Sequence, residues 1–355
     1  MKALVLAGGS GTRLRPFSHS MPKQLVPVAN RPVLAHVLDG VRELGVAEIG
    51  IVVGDRAAEI EAAVGDGAGL GARVTYIPQE RPLGLAHAVR LARPFLGDDD
   101  FALFLGDNIL LPGVARAAAD FRTRRPAAQV VVQKVADPRH FGVAEIDQDG
   151  AVLAVAEKPA EPRGDLALIG VYFFTPEIHR AVEAIRPSAR GELEITDAIQ
   201  WLATSGAAVR ATEYTGFWKD TGRPEDLLAC NRRLLEELEP RVEGDVDGGS
   251  RVLGRVVVEP GARVVRSRIS GPAVIGARTV VEDCEIGPYT SIGADCELRA
   301  SALADSIIME RTRVLHTRGL AGSLIGRSAV IAPPEDRGVP GELLVGDHSL
   351  VAWKG

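Results

Sequence analysis

The sequence predicts an α/β protein of two domains: a Rossmann-like, mostly parallel sheet followed by a left-handed parallel β-helix. Up to about residue 238, short apolar runs rich in β-branched residues alternate with amphipathic helical patterns. A segment rich in Gly, Asp and Glu starts at Pro240, and beyond it apolar residues return at every sixth position. The length of 355 residues also suits two domains. We therefore expect domains at residues 1–238 and 239–355.

The first domain is predicted from the order of its strands and helices. Helical patterns separate the first four strand patterns, which is typical of right-handed βαβ crossovers and a sheet covered on both faces. Further along, Asp149-Gly150 predicts the turn of a β-hairpin. The expected strands are 3–7, 48–53, 74–77, 101–105, 130–135 and 168–174, and the expected helices are 33–44, 57–64, 85–96, 176–185, 194–203 and 224–239.

The second domain is predicted from its six-residue repeat. Six residues make one face of a triangular coil, in which an apolar side chain points inward and small residues turn the corner. An ordinary sheet with accidental spacing is the alternative, but the register holds over several coils. We expect the interruptions near Ser301 and Gly319 to be short loops out of the coil. The expected inward residues are Ile286, Ile292, Leu298, Ile308, Val314, Leu320, Ile325 and Ile331.

Composition excludes several classes of function. A net charge of −6 and a pI near 5.7 argue against a nucleic-acid partner. No window approaches eighteen unbroken apolar residues, and the apolar run after Met1-Lys2 is too short for a signal peptide, so we expect no membrane partner and a cytoplasmic location. The three cysteines lie far apart, which indicates neither a disulfide framework nor a zinc knuckle.

The stretch LVLAGGSGTRLRP, from Leu4 to Pro16, predicts an anion-binding loop. It is not a dinucleotide fingerprint, because Leu14 stands where G-x-G-x-x-G needs its last glycine, and it lacks the G-K-[ST] of a P-loop. Glycines still let several backbone N–H groups converge on an anion. With Arg13, Arg15 and Lys23 nearby, the loop suits a triphosphate. A tight turn with solvated basic side chains is the alternative.

Two aspartates are candidate ligands for a divalent ion. Asp107 follows the strand pattern 101–105 beside a glycine, and Asp220 ends the extended segment FWKD, again near a glycine. A phosphate site commonly needs a divalent ion held by one or two carboxylates and by substrate oxygens. A turn or helix-capping role is the alternative for Asp107, and a purely structural role is the alternative for Asp220.

Six motifs occur in the order and approximate spacing of one known family. They are LAGGSGTRLRP, PKQLVPV, LGDN, EKP, GELEITD and WKDTG, all within residues 1 to about 238. On these motifs the chain resembles the sugar-1-phosphate nucleotidylyltransferases, and most closely the glucose-1-phosphate thymidylyltransferases. The six-residue repeat resembles the hexapeptide-repeat extension of long-form members, which often serve deoxysugar biosynthesis in antibiotic pathways.

The resemblance implies a role for individual residues. Arg13, Lys23 and Asp107 are the implied catalytic residues, with Arg13 on the triphosphate and Lys23 as its partner on the nucleotide and sugar phosphates. Asp107 and Asp220 match the pair that holds Mg²⁺. The implied nucleotide-binding residues are Gly8, Gly9, Gly11, Thr12, Arg13, Gln79 and Gly84, and the implied sugar-phosphate-binding residues are Gly142, Glu157, Lys158, Val171 and Thr196.

The implied reaction is attack by glucose 1-phosphate on the α-phosphorus of dTTP, which gives dTDP-glucose and pyrophosphate. The nucleophile is already ionised, so no general base is required. The implied partners are therefore dTTP and glucose 1-phosphate, and the flat faces of the coil predict a homo-oligomer.

Three other functions remain open at this point. UTP could replace dTTP, since Leu83 precedes Gly84 where short thymidylyltransferases tend to carry Asp, and another sugar phosphate could replace glucose 1-phosphate. A bifunctional uridylyltransferase and acetyltransferase could use His316 as a base. A regulatory subunit could bind a sugar nucleotide without turnover, although such subunits tend to lose triphosphate or metal residues that are present here.

Overall fold

The computed structural model describes residues 1–9, 11–332 and 342–351. The described residues form two compact units. The first unit contains Met1–Gly9 and Leu34–Asp220, and the second contains Ser10–Val33 and Thr221–Gly355. The domain boundary predicted at residue 238 remains a prediction. The sequence did not predict that an early segment of the chain would belong to the same unit as the C-terminal region. No helix among the described residues is long and apolar enough to cross a bilayer.

Strands and helices up to residue 238 follow the predicted order closely. The strands are β1 (Lys2–Leu6), β2 (Pro27–Val28), β3 (Arg31–Pro32), β4 (Glu48–Val53), β5 (Arg73–Pro78), β6 (Phe101–Leu105), β7 (Asn108–Leu111), β8 (Ala128–Lys134), β9 (Gly142–Ile146), β10 (Val152–Glu157), β11 (Leu166–Phe174), β12 (Val209–Glu213) and β13 (Phe217–Asp220). The helices are α1 (Val33–Arg42), α2 (Ala57–Val64), α3 (Leu85–Leu91), α4 (Arg93–Leu96), α5 (Ala115–Arg124), α6 (Glu177–Ala184), α7 (Ile195–Thr204) and α8 (Pro224–Leu235).

Two differences from the predicted helices have local causes. The helix expected over 85–96 is divided at Ala92 into α3 and α4. Pro94 lies in the first turn of α4, where its missing N–H costs no helical hydrogen bond, whereas inside one continuous helix it would remove one. Helix α5 was not predicted, because its buried face consists of Ala117, Ala118 and Phe121 and is weakly apolar.

The first unit is built on one mixed sheet. Strands β5, β4, β1 and β6 are neighbours and run parallel, as predicted. Strand β11 pairs antiparallel with β6 and β8, and the β9–β10 hairpin extends this antiparallel side. The core between sheet and helices is apolar, and the rings of Phe101 and Phe174 lie 5.4 Å apart within it. Burial of each such side chain stabilises the fold by about 1.5–3 kcal/mol.

This sheet positions the candidate site residues. The parallel strands β1, β4 and β6 end at the same edge, so the residues that follow them meet there. A separate two-stranded ladder pairs β13 with β7 antiparallel, with Asp220 opposite Asn108.

The second unit contains three parallel sheets, each formed for most of its length by every third strand and each making one face of the coil. The predicted β-helix is confirmed. All eight expected inward residues are at most 1% exposed. The strands are β14 (Arg241–Val242), β15 (Asp245–Val246), β16 (Arg251–Leu253), β17 (Val256–Val258), β18 (Arg263–Val265), β19 (Arg268–Ser270), β20 (Ala273–Ile275), β21 (Val280–Glu282), β22 (Glu285–Ile286), β23 (Thr290–Ile292), β24 (Glu297–Arg299), β25 (Ala302–Ala304), β26 (Ile307–Ile308), β27 (Arg313–Leu315), β28 (Arg318–Ala321), β29 (Leu324–Ile325), β30 (Val330–Ile331), β31 (Leu344–Val345) and β32 (Leu350–Val351).

Neither interruption of the repeat is a loop that leaves the coil. Ser301 is buried between β24 and β25, where its hydroxyl donates to the carbonyl of Arg299 at 2.7 Å. The turn of coil that contains Ser301 is one residue shorter than its predecessors, which shifts the repeat. Gly319 is the extra residue of a bulge in β28, which restores the register.

Candidate functional site

Asp107 and Asp220 lie at the same end of the β7–β13 ladder. Asp107 directly precedes β7, is 8% exposed, and accepts a hydrogen bond from Asn108 Nδ2 at 3.1 Å. Asn108 Oδ1 in turn accepts from Trp218 Nε1 of β13 at 2.7 Å, and Asp220 is the register partner of Asn108. This ladder brings together two carboxylates that are more than a hundred residues apart in the chain.

Two carboxylates suit a hard divalent cation that takes its remaining oxygens from phosphate and water. A larger ligand cluster is not present, since the described residues contain no group of three or more His, Cys, Asp or Glu side chains able to hold a metal. Gly106 lets the end of β6 lie close to the backbone of β1, because a Cβ there would lie 2.8 Å from the Leu6 carbonyl oxygen. The donor set therefore fits a metal that arrives with a phosphate substrate.

Gln79, Gly8 and Gly84 form a second group at the edge of the main sheet. Gln79 is 9% exposed, and a Cβ on Gly8 would lie 3.3 Å from its Oε1 atom. Gly84 precedes α3 with a φ of 102°, and any side chain there would overlap the backbone of Leu193. The two glycines therefore allow close packing of this segment around Gln79, because a side chain at Gly8 would crowd Gln79 and a side chain at Gly84 would overlap Leu193.

His87 was not predicted, and it orients Gln79. Its Nδ1 lies 3.0 Å from Gln79 Nε2, and the same Nε2 lies 3.5 Å from the Gly84 carbonyl oxygen. Burial, followed by the charges of Arg90 and Arg81, lowers the pKa of His87. The neutral ring accepts the amide hydrogen through Nδ1, which leaves Gln79 Oε1 on the side of Gly8.

A third group surrounds the carboxylate of Glu157. Glu157 ends β10 and is the register partner of Gly142 in β9. Thr196, in the first turn of α7 and 1% exposed, places its Oγ1 3.3 Å from Glu157 Oε2. A Cβ on Gly142 would lie 2.8 Å from Thr196 Cγ2, so the cluster has no room for a side chain there. Lys158 lies beside it, with Nζ 3.4 Å from Glu157 Oε1.

Arg190 and Glu194 belong to this cluster and were not predicted. Arg190 Nη1 lies 3.3 Å from both Glu157 Oε1 and Glu194 Oε1. Burial raises the pKa of Glu194, although its hydrogen bond from Ser188 opposes that shift. Burial, followed by the charge of Glu157, likewise raises the pKa of Asp197. The cluster is thus a crowded set of carboxylates with arginine and lysine at its margin.

Val171 is placed differently from the other predicted sugar contacts. It lies inside β11 opposite Phe104 of β6, and its side chain is fully buried. No atom of Val171 is exposed, so its predicted contact with the sugar phosphate stays a prediction.

The predicted triphosphate residues lie in the second unit, apart from Gly8 and Gly9. Gly11 has a φ of 63°, and a Cβ there would lie 3.0 Å from Lys23 Cβ, so this glycine packs directly against Lys23. Thr12 and Arg13 follow in a short 3-10 helix, and both are exposed. Lys23 begins another 3-10 helix. The turn at Gly11 therefore places the glycine loop next to Lys23.

His316, the candidate base of an acetyltransferase, lies at a corner of the coil. It is exposed and has a φ of 52°, and its backbone N–H donates to the Arg299 carbonyl at 2.9 Å. The backbone of His316 thus forms a corner of the coil.

Comparison with known proteins agrees with the predicted family. The family model described as nucleotidyl transferase matches residues 2–237. Glucose-1-phosphate thymidylyltransferases of Streptomyces antibioticus and Streptomyces griseus are each 52% identical to the chain, and the matches cover 99% and 98% of both partners, respectively. A crystal structure from Bacillus anthracis, solved as a candidate glucose-1-phosphate thymidylyltransferase, superposes with a TM-score of 0.63 at 32% identity, over 67% of this chain and 96% of that one. The chain therefore belongs to the nucleotidyl transferase family, and over nearly its whole length it is related to glucose-1-phosphate thymidylyltransferases.

Proposed function

We propose that the protein transfers dTMP from dTTP to glucose 1-phosphate and so forms dTDP-glucose and pyrophosphate. One observation supports this most strongly: two thymidylyltransferases match the chain almost from end to end at 52% identity. That match includes the β-helix, which lies beyond the residues matched by the family model. The proposal therefore concerns an enzyme of the long form, which carries the β-helix.

The nucleotide is held by two kinds of group. Gln79 and the backbone at Gly8 and Gly84 read the edge of the base, with His87 fixing the amide of Gln79. The backbone of Gly9, Gly11 and Thr12 approaches the phosphates. Arg13 supplies a planar fork for two phosphate oxygens, and Lys23 supplies a point charge.

The sugar 1-phosphate is held by the Glu157 cluster. The Glu157 carboxylate accepts hydrogen bonds from sugar hydroxyls, and Thr196 and Arg190 hold that carboxylate in place. Lys158 binds the phosphate. Gly142 contributes backbone, because it has no side chain to present to a ligand.

The chemistry requires positioning and charge neutralisation. A phosphate oxygen of glucose 1-phosphate attacks the α-phosphorus, a new P–O bond forms, and pyrophosphate leaves with the electrons of the broken P–O bond. A phosphate monoester is mostly a dianion near pH 7, so no side chain has to remove a proton. Arg13, Lys23 and Lys158 lower the repulsion between the two anions.

Enzymes of this type use a divalent metal ion, and we propose Mg²⁺ held by Asp107 and Asp220. When bound, the ion would neutralise charge on the phosphates. The three buried free cysteines also suit the reducing cytoplasm, which we propose as the compartment.

A substrate screen tests the proposed function. Purified enzyme is mixed with each of dTTP, UTP, ATP and GTP, paired with the 1-phosphates of glucose, galactose and N-acetylglucosamine, and pyrophosphate release is measured. We expect the highest kcat/KM for dTTP with glucose 1-phosphate. A clear preference for UTP or for the amino sugar would overturn the assignment while leaving the reaction type intact.

We further propose that the protein is a homo-oligomer that associates through one face of the coil. One of the two outward columns on the face formed by β19, β22, β25 and β28 consists of Ser270, Gly287 (directly after β22), Ala304 and Ala321, all small enough for close approach of a flat partner surface. The other column consists of Arg268, Glu285, Ala302 and Arg318, which would surround that small-residue column with polar contacts. The neighbouring face formed by β21, β24 and β27 carries ion pairs such as Arg313–Glu297 and is suited to water. Sedimentation at micromolar concentration should show an oligomer, and substitution of Ala304 by Arg should dissociate it. A monomeric wild type would refute this part.

A further inference from the structure

Asn231, in α8, is a buried amide that joins three parts of the second unit. The residue is 0% exposed. Its Oδ1 accepts hydrogen bonds from the backbone N–H of Ala29 at 2.9 Å and from Ser291 Oγ at 2.5 Å. Its Nδ2 donates to the Tyr289 carbonyl at 2.9 Å. One side chain therefore links helix α8, a turn near the N-terminus and a coil of the β-helix.

That turn is held in an unusual conformation against the coil. Ala29 and Asn30, between β2 and β3, have φ angles of 47° and 60°, and a non-glycine residue keeps such angles only where its surroundings fix them. Asn30 Nδ2 donates to the Ile292 carbonyl at 2.6 Å. Ala29 packs against an apolar cluster formed by Leu235, Val257 and Val274.

A second anchor lies nearer to the glycine loop. Arg327 Nη2 donates to the Ser20 carbonyl at 3.0 Å, while its Nε pairs with the buried carboxylate of Asp347 at 2.7 Å. Gly346 lies close to Pro16, since a Cβ there would be 3.0 Å from Pro16 Cβ. The late coils thus contact the chain between Arg13 and Lys23.

Residues 11–33, which we call the cationic segment, carry Arg13, Arg15, Lys23 and Arg31 and no acid. Apart from short 3-10 helices and the two-residue strands β2 and β3, the segment has little regular structure up to the start of α1. Backbone of this kind holds a long cationic side chain less precisely than a helix or a strand does. The two anchors supply the missing support.

We propose that Asn231 is a positioning residue for the phosphate-binding cations, and that the β-helix acts in the reaction by fixing the cationic segment. The proposal rests on the proposed function, because it takes Arg13 and Lys23 to bind the triphosphate. Asn231 itself touches no substrate. It acts through the turn at Ala29 and Asn30.

The first test is hydrogen–deuterium exchange on the full chain. Asn231→Ala leaves the Ala29 N–H without its acceptor, so we expect at least about tenfold faster exchange across the cationic segment and little change in the main sheet. The matched control is Arg232→Ala, which breaks the ion pair from the next residue of α8 to Asp305 of the coil but no bond to the segment. The control should leave exchange in the segment unchanged.

The second test is steady-state kinetics on the same variants. For Asn231→Ala we expect the KM for dTTP to rise about tenfold and kcat to fall, with the KM for glucose 1-phosphate within about twofold of wild type. Asn30→Gly removes the bond to Ile292 while glycine tolerates the left-handed backbone, so it should show the same pattern more weakly. It also provides a second variant if Asn231→Ala does not fold.

The outcomes separate this proposal from the proposed function. Unchanged exchange in the segment of both Asn231→Ala and Asn30→Gly would overturn the anchoring, whatever the substrates are. Equal effects on both KM values, reproduced by Arg232→Ala, would show general destabilisation and overturn the positioning role. Faster exchange with unaltered dTTP kinetics would confirm that the coil anchors the segment but would overturn the positioning role of Asn231, and the role of Arg13 would then rest on the kinetics of Arg13→Ala alone.

Discussion

The Glu157 cluster and the cationic segment perform related tasks with different construction. The cluster is formed where a β-ladder ends and a helix begins: Gly142 and Glu157 are register partners, and Thr196 lies in the first turn of α7. Because Glu157 and Thr196 both lie on regular backbone, the distance between their side chains is well defined. The cationic segment has only brief regular structure, and its Arg13 is exposed.

The charges of the two regions are also opposite. The cluster gathers Glu157, Glu192 and Glu194 around Arg190. Asp197 lies close enough to Glu157 for its charge to act, and burial raises the pKa values of Glu194 and Asp197. The cationic segment has four basic residues and no acid. Carboxylates are suited to hydroxyl donors of a sugar, and cations are suited to phosphates. An acidic side chain at a strand end can therefore be held by its own sheet, whereas long cations on irregular backbone need support from elsewhere in the fold.

Metal removal should produce the largest effect. Exhaustive EDTA treatment should abolish pyrophosphate release, and added Mg²⁺ should restore it, because two like-charged substrates must otherwise approach without that neutralisation. Far-UV circular dichroism should stay unchanged, since the described residues contain no structural metal cluster. Asp107→Asn should lose activity at any Mg²⁺ concentration that supports wild type. Full turnover after chelation would contradict the metal role of both aspartates.

Arg13→Ala tests the cationic segment and should produce the second largest loss of activity. Loss of one preorganised donor to a transition-state oxyanion costs about 2.7–4 kcal/mol, so kcat should fall about a hundred- to thousandfold. The KM for glucose 1-phosphate should change little. Arg15→Ala removes the same charge from the same segment and should cost less than about tenfold. Near-normal turnover of Arg13→Ala would remove this residue from the mechanism.

The sequence was informative wherever a pattern is local. The coil could be predicted because each inward residue, such as Leu298 or Val314, repeats a six-residue environment that its neighbours share. The parallel strands β1, β4 and β6 could be predicted because each is a short apolar run bounded by turns. Motif positions such as Glu157 and Thr196 fall at a strand end and a helix start, where local patterns are also clear.

Contacts between distant or irregular pieces of chain could not be predicted. The ladder that pairs β13 with β7 joins four-residue strands with mixed polarity, so nothing in either strand indicates its partner. His87 and Arg190 act on Gln79 and Glu157 through side-chain hydrogen bonds that depend on tertiary packing. Anchoring of the cationic segment depends on a single buried amide and on backbone carbonyls of the coil, which carry no sequence signature.

Glu157→Gln tests the sugar side and should have a moderate effect. Replacing a charged acceptor by a neutral one weakens its hydrogen bonds to sugar hydroxyls, so the KM for glucose 1-phosphate should rise about tenfold while the KM for dTTP stays near wild type. Glu192→Gln is the matched control, because Glu192 also pairs with Arg190, with Oε1 3.2 Å from Nη2. It should leave both KM values unaltered. An equal rise in the KM for dTTP would argue that Glu157 does not recognise the sugar.

Asp197→Asn should have the smallest effect, and its sign depends on pH. Burial, followed by the charge of Glu157, raises the pKa of Asp197, so the native state binds its proton more tightly than the unfolded chain does. Stability therefore falls as pH rises from the usual aspartate pKa through the raised value. The asparagine variant removes this loss, so at pH 7.5 it should melt at a slightly higher temperature than wild type. The free energy of unfolding should rise by no more than about 0.5 kcal/mol, and the difference should shrink toward pH 4.

Asp137→Asn provides the opposite sign for that measurement. The Arg139 side chain lowers the pKa of Asp137 to about 2, so its ionised form stabilises the native state above the usual aspartate pKa. This variant should melt slightly below wild type at pH 7.5 and approach it on acidification. If Asp197→Asn instead behaved like Asp137→Asn, the ionised Asp197 carboxylate would be stabilised by its surroundings more than it is destabilised by burial and by the charge of Glu157. Cations would then neutralise the negative charge of the cluster, and the electrostatic contrast with the cationic segment would not hold.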